Sequence, residues 1–322
     1  MIEPGTAVPG FLLSGRRYGA GGEEAEMTRH VLVTGASKGI GLATVHELAN
    51  RGFTVFAGVR RDEDAADMAA SEPRRIHPLV FDVTDDAARR AAVEHIAELA
   101  GEAGLYGVVN NAGIALAAPI EFVPIEELRR QFEVNVFSLV AMSQLCLPLL
   151  RQYVATVGSG AGGDVPGRYR RARLVNVSSI GGRIAFSPSG PYTASKFAVE
   201  SLTDTLRMEV ERQGIRVAAV EPGTVRTPLW DKALEAGRAM QQQMPVAATT
   251  LYGDRITKAI VHAERAPNRG IRPDAVARVV ARALTARRPR TRYLVGPDAR
   301  LAARLVAPLP DRLRDALLRI RG

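Results

Sequence analysis

Short β-branched runs and longer helical patterns alternate along the chain from His30 to Gly296. The runs predicted as strands are HVLVT, FTVFAGV, IHPLVFD, LYGVVN, RLVNVS, IRVAAVE and RYLVG, which begin at residues 30, 53, 76, 105, 173, 215 and 292. Apolar residues recur at helical spacing between them, as in IGLATVHELANR. Such alternation is typical of parallel sheets covered on both faces. We therefore predict one α/β domain built on a doubly wound, seven-stranded parallel sheet.

The two ends of the chain do not follow this alternation. Residues 1–27 are rich in Gly and Glu and are predicted to be a disordered extension, with translation starting at either Met1 or Met27. The domain then covers residues 28–296. Residues 297–322 place Leu, Val and Ile at helical spacing opposite arginines. This amphipathic tail would cap a pocket, form a subunit contact or lie on an anionic membrane surface.

Composition and charge narrow the class of protein. With 46% hydrophobic and 24% charged residues, the 322-residue chain has the composition of a globular protein. Its net charge of +9 arises in residues 271–322, which contain thirteen Arg and four Asp without Lys or Glu. No nucleic-acid-binding motif accompanies these arginines, so we expect a solvated basic face and no nucleic-acid partner.

Cysteine and histidine usage bears on metals and on cellular location. Cys146 is the single cysteine, which excludes an internal disulfide and fits the reducing cytoplasm. The histidines stand at positions 30, 46, 77, 95 and 262 and show no metal-ligand spacing, so no metal is expected. No apolar run approaches the ~20 residues that span a bilayer. We expect a cytoplasmic protein.

The first predicted strand ends in TGASKGIG, residues 34–41. Glycines at positions 35, 39 and 41 permit a tight turn, close approach of a pyrophosphate to the backbone, and packing of the next helix on the strand. The N-terminus of that helix then faces the negative charge. Because the glycines lie between a strand and an amphipathic helix, they predict a nucleotide site on a Rossmann-like fold.

Residues 191–200, PYTASKFAVE, place Tyr192 and Lys196 four positions apart. On a helix, these positions share one face, so the phenol and the ammonium reach the same space. A free phenol ionises near pKa ~10, and a neighbouring cation favours the phenolate, which suits proton transfer at neutral pH. The same spacing occurs by chance on many surface helices, so this interpretation depends on the other motifs.

Five motifs follow one another along the chain. They are TGASKGIG, NNAG, NVSS, YTASK and EPGTVRT, which begin at residues 34, 110, 176, 192 and 221. In this order they resemble the short-chain dehydrogenase/reductase family over residues 30–296. The combination of motifs is similar to that of hydroxysteroid and retinol dehydrogenases and of bacterial oxidoreductases. The resemblance implies an NAD(P)-dependent oxidoreductase that transfers hydride between nicotinamide and a hydroxyl or carbonyl group.

The resemblance also implies four catalytic residues. Tyr192 would be the general acid or base, and Lys196 would lower the pKa of Tyr192 and hold the nicotinamide ribose hydroxyls. Ser179, with Ser178 as the alternative, would orient the substrate oxygen. Asn135 would join a water relay to Lys196, or else satisfy backbone groups as a buried amide.

Cofactor choice depends on the charge after the second strand. There, Val59 stands where NAD-preferring relatives have Asp, and Arg60 follows. With Lys38 in the glycine turn, two cations and no acid predict NADP(H) over NAD(H), unless Asp62 or Asp64 takes that place. The full set of cofactor residues that the resemblance implies is Gly35, Ser37, Lys38, Gly39, Ile40, Gly41, Arg60, Asp82, Val83, Asn111, Ala112, Gly113, Tyr192, Lys196, Pro222, Gly223, Val225 and Thr227.

Two further stretches have expected roles in holding the cofactor. Asp82 and Val83 would lie beside the adenine, while the alternative for the neighbouring Thr84 is a helix N-cap. Residues 222–225 and the hydroxyl of Thr227 would bind the nicotinamide carboxamide.

Residues 229–267 would form a lid over the substrate. An apolar alcohol or ketone is favoured by the lid residues Trp230, Met240, Met244, Leu251 and Tyr252, although an ordinary packed helix would look similar. The Gly-rich residues 154–173 predict a flexible surface loop. By family habit, the helices over residues 129–150 and 193–213 would pair in a homodimer or homotetramer.

Several other functions remain open from the sequence. They are a non-catalytic nucleotide-binding sensor or regulator on the same fold, an NAD-preferring dehydrogenase, a dehydratase or epimerase, and a basic adaptor for membranes or nucleic acid. The combination of Tyr192, Lys196, Ser179 and Asn135 favours alcohol and ketone chemistry.

Overall fold

The computed structural model describes residues 28–71, 74–161, 163 and 165–321, so the predicted extension 1–27 lies outside it. The described residues contain a single seven-stranded sheet. Its strands are β1 His30–Val33, β2 Thr54–Val59, β3 Ile76–Val80, β4 Gly107–Asn110, β5 Ala172–Val177, β6 Ile215–Pro222 and β7 Arg292–Val295. Every residue of β1, β4 and β5 is buried, because helices cover both faces of the sheet.

All strand pairs are parallel, in the order β3-β2-β1-β4-β5-β6-β7. Val33 of β1 lies opposite Ala57 of β2 on one side and Val109 of β4 on the other. The order of the strands reverses between β1 and β4, and in such sheets a crevice opens there at the carboxyl ends of the strands. The doubly wound, seven-stranded prediction is confirmed.

Helices connect the strands. They are α1 Gly39–Asn50, α2 Asp62–Ser71, α3 Asp86–Ala100, α4 Ile125–Phe132, α5 Ser138–Gly158, α6 Gly190–Val210, α7 Leu229–Gln243, α8 Val246–Arg269, α9 Pro273–Thr285, α10 Pro297–Leu301 and α11 Asp311–Arg321. Helix α1 packs on α9, and α3 packs on α5. The N-cap of α3 is Asp85, whose carboxylate accepts a hydrogen bond of 3.0 Å from the Ala88 N–H. The N-cap alternative for Thr84 is therefore wrong.

One helical segment of the described residues, Ile125–Gly158, has the length and the mean hydropathy, 1.5, to cross a membrane. It joins α4 to α5 through a π-helical turn at Glu133–Phe137. The expectation that no apolar run approaches that length is therefore wrong. Half of its most apolar window is buried in the fold, where Cys146 and Leu150 are fully buried in the main core beside β4 and β5.

The predicted flexible loop over residues 154–173 is only partly a loop. Helix α5 continues to Gly158, and further along the segment Tyr169 is buried. The Tyr169 carbonyl accepts a hydrogen bond of 2.9 Å from the Tyr153 hydroxyl, and the Arg29 guanidinium lies 4.3 Å from the Tyr169 ring centroid. An aromatic anchor thus holds the described part of this segment on the core.

The C-terminal segment is helical, as predicted. Helix α10 packs beside β7 and continues into a π-helical turn at Ala302–Val306 before α11. Ala299 and Val306 are buried, whereas Leu305 and Leu313 are exposed. The first turns of the tail therefore pack on the domain, and α11 exposes Leu313.

An ion-pair network joins α6 to the carboxyl end of β6 and the amino end of β7. The Nε of Arg292 donates to Glu200 at 2.9 Å and lies 3.2 Å from Glu221, while its Nη2 contacts Asp204. Arg183 donates two hydrogen bonds of 2.5 and 2.9 Å to Glu221. Burial raises the pKa of the fully buried Glu221, and the hydrogen bonds from Arg183 oppose this rise. Both arginines therefore stabilise carboxylates that the fold has removed from water.

Replacing Arg292 with Met leaves Glu200 and Glu221 without their shared cation. We expect a loss of about 3 kcal/mol in the free energy of unfolding at about pH 8, because an uncompensated buried charge is costly. Without Arg292, the pKa of Glu221, which burial already raises, rises further above its value in the unfolded chain. The native state then takes up protons, and the loss shrinks as the pH falls toward about 5.

Urea denaturation at a series of pH values measures this effect. Arg288→Met, at an exposed arginine, is the control and is expected to have little effect at any pH. A deficit in Arg292→Met that stays constant across the pH range would contradict the explanation.

Candidate active site

A cleft of about 1450 Å³ lies at the carboxyl ends of the strands, where the strand order reverses. The sequence-predicted catalytic and cofactor residues line this cleft, with the exception of Gly41 and Asn135. Both of these lie behind the wall, where they support residues that do line it. The structure thus brings the predicted set together at the crevice that a doubly wound sheet creates.

The glycine turn between β1 and α1 has the backbone geometry that needs glycine. Gly35 and Gly39 have φ angles of +63° and +60°, in the left-handed region. A Cβ on Gly35 would lie 2.7 Å from the Ala112 Cα, and one on Gly41 would overlap the Gly35 carbonyl oxygen. Lys38 is the N-cap of α1, and the first turn of α1 has no acidic residue. The N-terminus of this helix carries no acidic residue and lies beside a turn with glycines at its close contacts. Both features suit the binding of a pyrophosphate.

The segment after β4 fixes the glycine turn in place. The Asn111 amide donates hydrogen bonds of 3.0 Å to the carbonyls of Thr34 and Gly35. In return, the Thr34 hydroxyl accepts from the N–H groups of Asn111, at 3.1 Å, and Ala112, at 3.2 Å. The NNAG motif therefore locks two neighbouring loops of the cleft to each other.

Ser179, Tyr192 and Lys196 meet at the floor of the cleft. Tyr192 and Lys196 lie one turn apart near the start of α6, and the Lys196 Nζ is 5.9 Å from the Tyr192 ring centroid. Ser179 follows β5, and its side chain acts to lower the pKa of the Tyr192 phenol, while its Oγ accepts a hydrogen bond from the Gly181 N–H at 3.0 Å. Ser178 also lines the cleft, but its buried hydroxyl has no hydrogen-bond partner among the described residues. The geometry favours Ser179 over Ser178.

Burial shifts the pKa values of this pair in opposite directions. It raises the pKa of the Tyr192 phenol, an effect that the hydrogen bond with Ser179 opposes. It lowers the pKa of Lys196 to about 8, although the carboxylate of Glu200 works against the shift. The expected lowering of the Tyr192 pKa by Lys196 is therefore not what the structure shows. Low dielectric disfavours both charged forms, so at neutral pH Tyr192 is a neutral phenol.

Asn135 lies behind the cleft in the π-helical turn between α4 and α5. Its side-chain oxygen accepts a hydrogen bond of 2.8 Å from the Ile114 N–H, and its amide donates at 3.0 Å to the Ile114 carbonyl and to the Ser195 hydroxyl. Ser195 is the neighbour of Lys196 on α6. These contacts are those of a buried amide that satisfies backbone groups, and they tie the segment after Gly113 to α6.

The end of β2 presents Arg60 to the cleft directly after Val59. Asp62 and Asp64 belong to the first turn of α2 and do not line the cleft, and Asp64 accepts two hydrogen bonds from Arg61. The alternative that places one of these acids at the ribose is therefore not supported by their positions.

Asp82 lies across the cleft from the glycine turn, in the segment after β3. Its carboxylate accepts hydrogen bonds from the N–H of Thr84 at 2.8 Å and from its hydroxyl at 2.7 Å. Burial opposes ionisation here, but the Thr84 hydrogen bonds hold the pKa of Asp82 below its ordinary value. Asp82 is thus a fixed, charged wall of the site, and Val83 lines the cleft beside it.

The segment after β6 depends on a residue that the sequence did not indicate. Asp298 of α10 accepts a hydrogen bond of 2.7 Å from the Thr224 N–H, and a Cβ on Gly223 would overlap its carboxylate. The only hint in the sequence is an Asp two positions after Gly296, at a helix start. Asp298 fixes the loop that closes the predicted nicotinamide end of the cleft.

The predicted lid is formed by α7 and α8, which pack on each other. Of the five apolar lid residues singled out from sequence, Trp230 lines the cleft. Met240 and Met244 instead pack with Leu116, and Tyr252 donates a hydrogen bond to Glu121. Leu251 is exposed. Further apolar lining of the cleft comes from residues that the sequence did not indicate, which are Ile114, Ala115, Leu116, Val134, Phe137, Leu229, Ala236 and Ala239.

Comparisons with known proteins agree with this geometry. Residues 29–237 match the family model described as short chain dehydrogenase. The chain is 36% identical to the NADPH-dependent 3-dehydrocapnine reductase of Ornithobacterium rhinotracheale over 90% of its length and 95% of that protein. It is 35% identical to human retinol dehydrogenase 5 over 89% of its length and 87% of that protein.

A solved structure shows the same architecture. The short-chain dehydrogenase from Streptomyces avermitilis superposes with a TM-score of 0.70 at 25% identity, covering 92% of this chain and 97% of that one. The chain therefore belongs to the short-chain dehydrogenase family. It is an NAD(P)-dependent oxidoreductase of that family.

Gly41→Ala tests the packing of the glycine turn. We expect the added methyl group to push α1 away from the Gly35 carbonyl and to weaken nucleotide binding by at least about tenfold, equivalent to about 1.4 kcal/mol. Gly237→Ala is the matched control, since this helical glycine of α7 has open space around its Cβ position. Isothermal titration with NADPH measures both. Unchanged affinity in Gly41→Ala would contradict the placement of the nucleotide at this turn.

Proposed function

We propose that this protein is an NADP(H)-dependent carbonyl reductase that acts on an apolar ketone or aldehyde, with Tyr192 as the general acid. The observation that carries the proposal is that Ser179, Tyr192 and Lys196 line the same cleft as the glycine turn, with Tyr192 and Lys196 one helical turn apart on α6. A nucleotide site and a proton donor thus share one space.

Each residue has a role that its contacts support. The hydroxyls of Ser179 and Tyr192 would donate hydrogen bonds to the carbonyl oxygen of the substrate, where negative charge develops during reduction. Tyr192 would then transfer its proton to that oxygen. NADPH, when bound, supplies the hydride. Asn135 positions α6 through Ser195 in this scheme. We also propose that Asn135 joins a water relay to Lys196.

Lys196 would act as a cation whose position is fixed by a hydrogen bond to the sheet. Its Nζ donates a hydrogen bond of 3.0 Å to the Val177 carbonyl at the end of β5. The remaining N–H groups of the ammonium would bind the ribose hydroxyls of the cofactor and favour negative charge on the Tyr192 oxygen. Because Lys196 is buried, its charge is worth more there than on the surface.

The protonation state of Tyr192 supports the reducing direction. A reductase needs a neutral phenol that gives up its proton only as the alkoxide forms, whereas alcohol oxidation needs a phenolate at the start. Burial raises the pKa of Tyr192, so the neutral phenol is the resting form at neutral pH. A relative that is 36% identical to this chain is named as an NADPH-dependent reductase, which also supports the reducing direction.

Charge at the adenosine end of the cleft supports NADP(H) over NAD(H). Lys38 and Arg60 both line the cleft, and Val59 stands where an acid would repel the 2′-phosphate. Guanidinium and ammonium groups are the usual partners of such a phosphate.

An apolar substrate is supported by apolar side chains in the cleft that contains Ser179 and Tyr192. Leu116, Phe137 and Trp230 are among the side chains there. Retinol, named in one relative, is an apolar alcohol.

The lid role of residues 229–267, a cytoplasmic location and pairing between copies are further parts of the proposal. Pairing is supported by the apolar side chain of Met208, which is more than half exposed on one of the helices expected to pair.

Reduction of a panel of apolar ketones and aldehydes with NADPH and NADH tests the proposed chemistry. We expect Tyr192→Phe to lower kcat by about a hundredfold or more while leaving NADPH affinity within a few-fold, because the proton donor is lost and the binding site is kept. Tyr293→Phe, outside the cleft, is the control. Tight NADPH binding without turnover of any carbonyl would instead favour a sensor on the same fold.

The pH dependence of kcat/KM for NADPH tests the role of Lys196. The pKa of Lys196 is lowered to about 8 by burial, so the ammonium is present below this pH and lost above it. We therefore expect kcat/KM to be level near neutrality and to fall as the pH rises through about 8, since this parameter reports the free enzyme. A profile that stays level up to about pH 10 would contradict the role of Lys196 as a cation.

A further inference from the structure

Three positive side chains from different parts of the chain line the same cleft. Lys38 belongs to the glycine turn, Arg60 follows β2, and Lys232 lies in the first turns of α7. The first two are those that the sequence analysis assigned to the cofactor. Lys232 is more than 170 positions away from both of them in the chain, and it belongs to the predicted substrate lid.

The packing of α7 explains how Lys232 reaches the adenosine end. A Cβ on Gly39 would lie 3.0 Å from the Thr227 Cγ2 and 3.9 Å from the Pro228 Cδ, so the start of α7 rests on the glycine turn. Lys232 is one helical turn further along, and its N–H donates to the Pro228 carbonyl at 3.2 Å. The lid helix is therefore anchored next to Lys38, with Lys232 on its first turn.

The acidic groups near these cations do not pair with them. The charges of Lys38 and Lys232 act on Asp64, but both carboxylate oxygens of Asp64 accept hydrogen bonds from Arg61. Asp82, which feels the charge of Arg60, is hydrogen-bonded by Thr84. In the described part of the chain, no salt bridge forms to Lys38, Arg60 or Lys232. This end of the cleft is thus a concentration of unpaired positive charge.

Electrostatics shows that the three cations act on one another. Burial lowers the pKa of Lys232, and the positive charges of Arg60 and Lys38 lower it further. Like charges that lie near one another in an open cleft are unfavourable by themselves, and an anion bound among them relieves the repulsion. A phosphate monoester, with up to two negative charges and three acceptor oxygens, matches such a site.

We propose that Lys232 completes the binding site for the 2′-phosphate of NADP(H), together with Lys38 and Arg60. This inference rests on the proposed NADP(H) preference and deepens it, since it assigns part of cofactor selection to the lid helix. Binding of the phosphate to Lys232 also holds α7 on the glycine turn, so the cofactor that carries the phosphate helps to order the wall of the substrate site.

Nucleotide binding tests this proposal without any turnover. Isothermal titration compares NADPH with NADH, and 2′,5′-ADP with 5′-ADP, in the wild type and in Lys232→Met. We expect Lys232→Met to weaken NADPH and 2′,5′-ADP by about tenfold, the worth of one charge-assisted hydrogen bond, and to leave NADH and 5′-ADP unchanged. Unchanged NADH affinity also shows that the variant folds. Lys232→Arg is expected to keep the preference for the phosphorylated nucleotides.

Two comparisons separate the possible failures. Lys258→Met, at an exposed lysine of α8 outside the cleft, controls for the loss of one positive charge and is expected to bind all four nucleotides like the wild type. If Arg60→Met weakens NADPH and Lys232→Met does not, the role of Lys232 is overturned while the NADP(H) preference stands. If the wild type binds NADH as tightly as NADPH, the preference itself fails, and the inference fails with it.

Discussion

The hydrogen bond from the Lys196 ammonium to the Val177 carbonyl is the contact on which the site depends. It joins the first turns of α6 to the end of β5, and so fixes Tyr192 over the residues that follow that strand. The cost is that Lys196 is buried and Tyr192 is half-buried, which lowers the pKa of Lys196 to about 8 and raises the pKa of Tyr192. Burial thus leaves a neutral phenol beside a weakly held positive charge.

The surrounding structure keeps this arrangement in place from several sides. Arg183 and Arg292 bind the buried Glu221 and clamp α6 to β6 and β7. Asn135 ties α6 to the segment after β4, and Asp298 holds the loop after β6. Each contact connects elements that are distant in sequence, so the geometry of the cleft is a property of the whole domain and not of one motif.

Local sequence signals predicted what local physics determines. The apolar runs identified all seven strands, because a parallel strand buried on both faces must be apolar, and the glycines at 35, 39 and 41 identified a turn that only glycine tolerates. The pKa of Tyr192 could not be predicted, since it depends on how deeply tertiary packing buries the ring. The same holds for Asp298 and Lys232, which reach the cleft through chain connections of many residues, and for Met240, whose direction on α7 is set by Leu116.

Burial keeps Tyr192 protonated, so that the phenol is able to donate its proton. The most direct measurement is a pH titration of phenolate absorbance in the cofactor-free protein, with the curve of Tyr192→Phe subtracted from that of the wild type. We expect the Tyr192 difference signal to titrate above the ordinary phenol value of about 10. A difference signal that titrates near neutrality would show that Lys196 dominates over burial, and would contradict the assignment of a neutral proton donor.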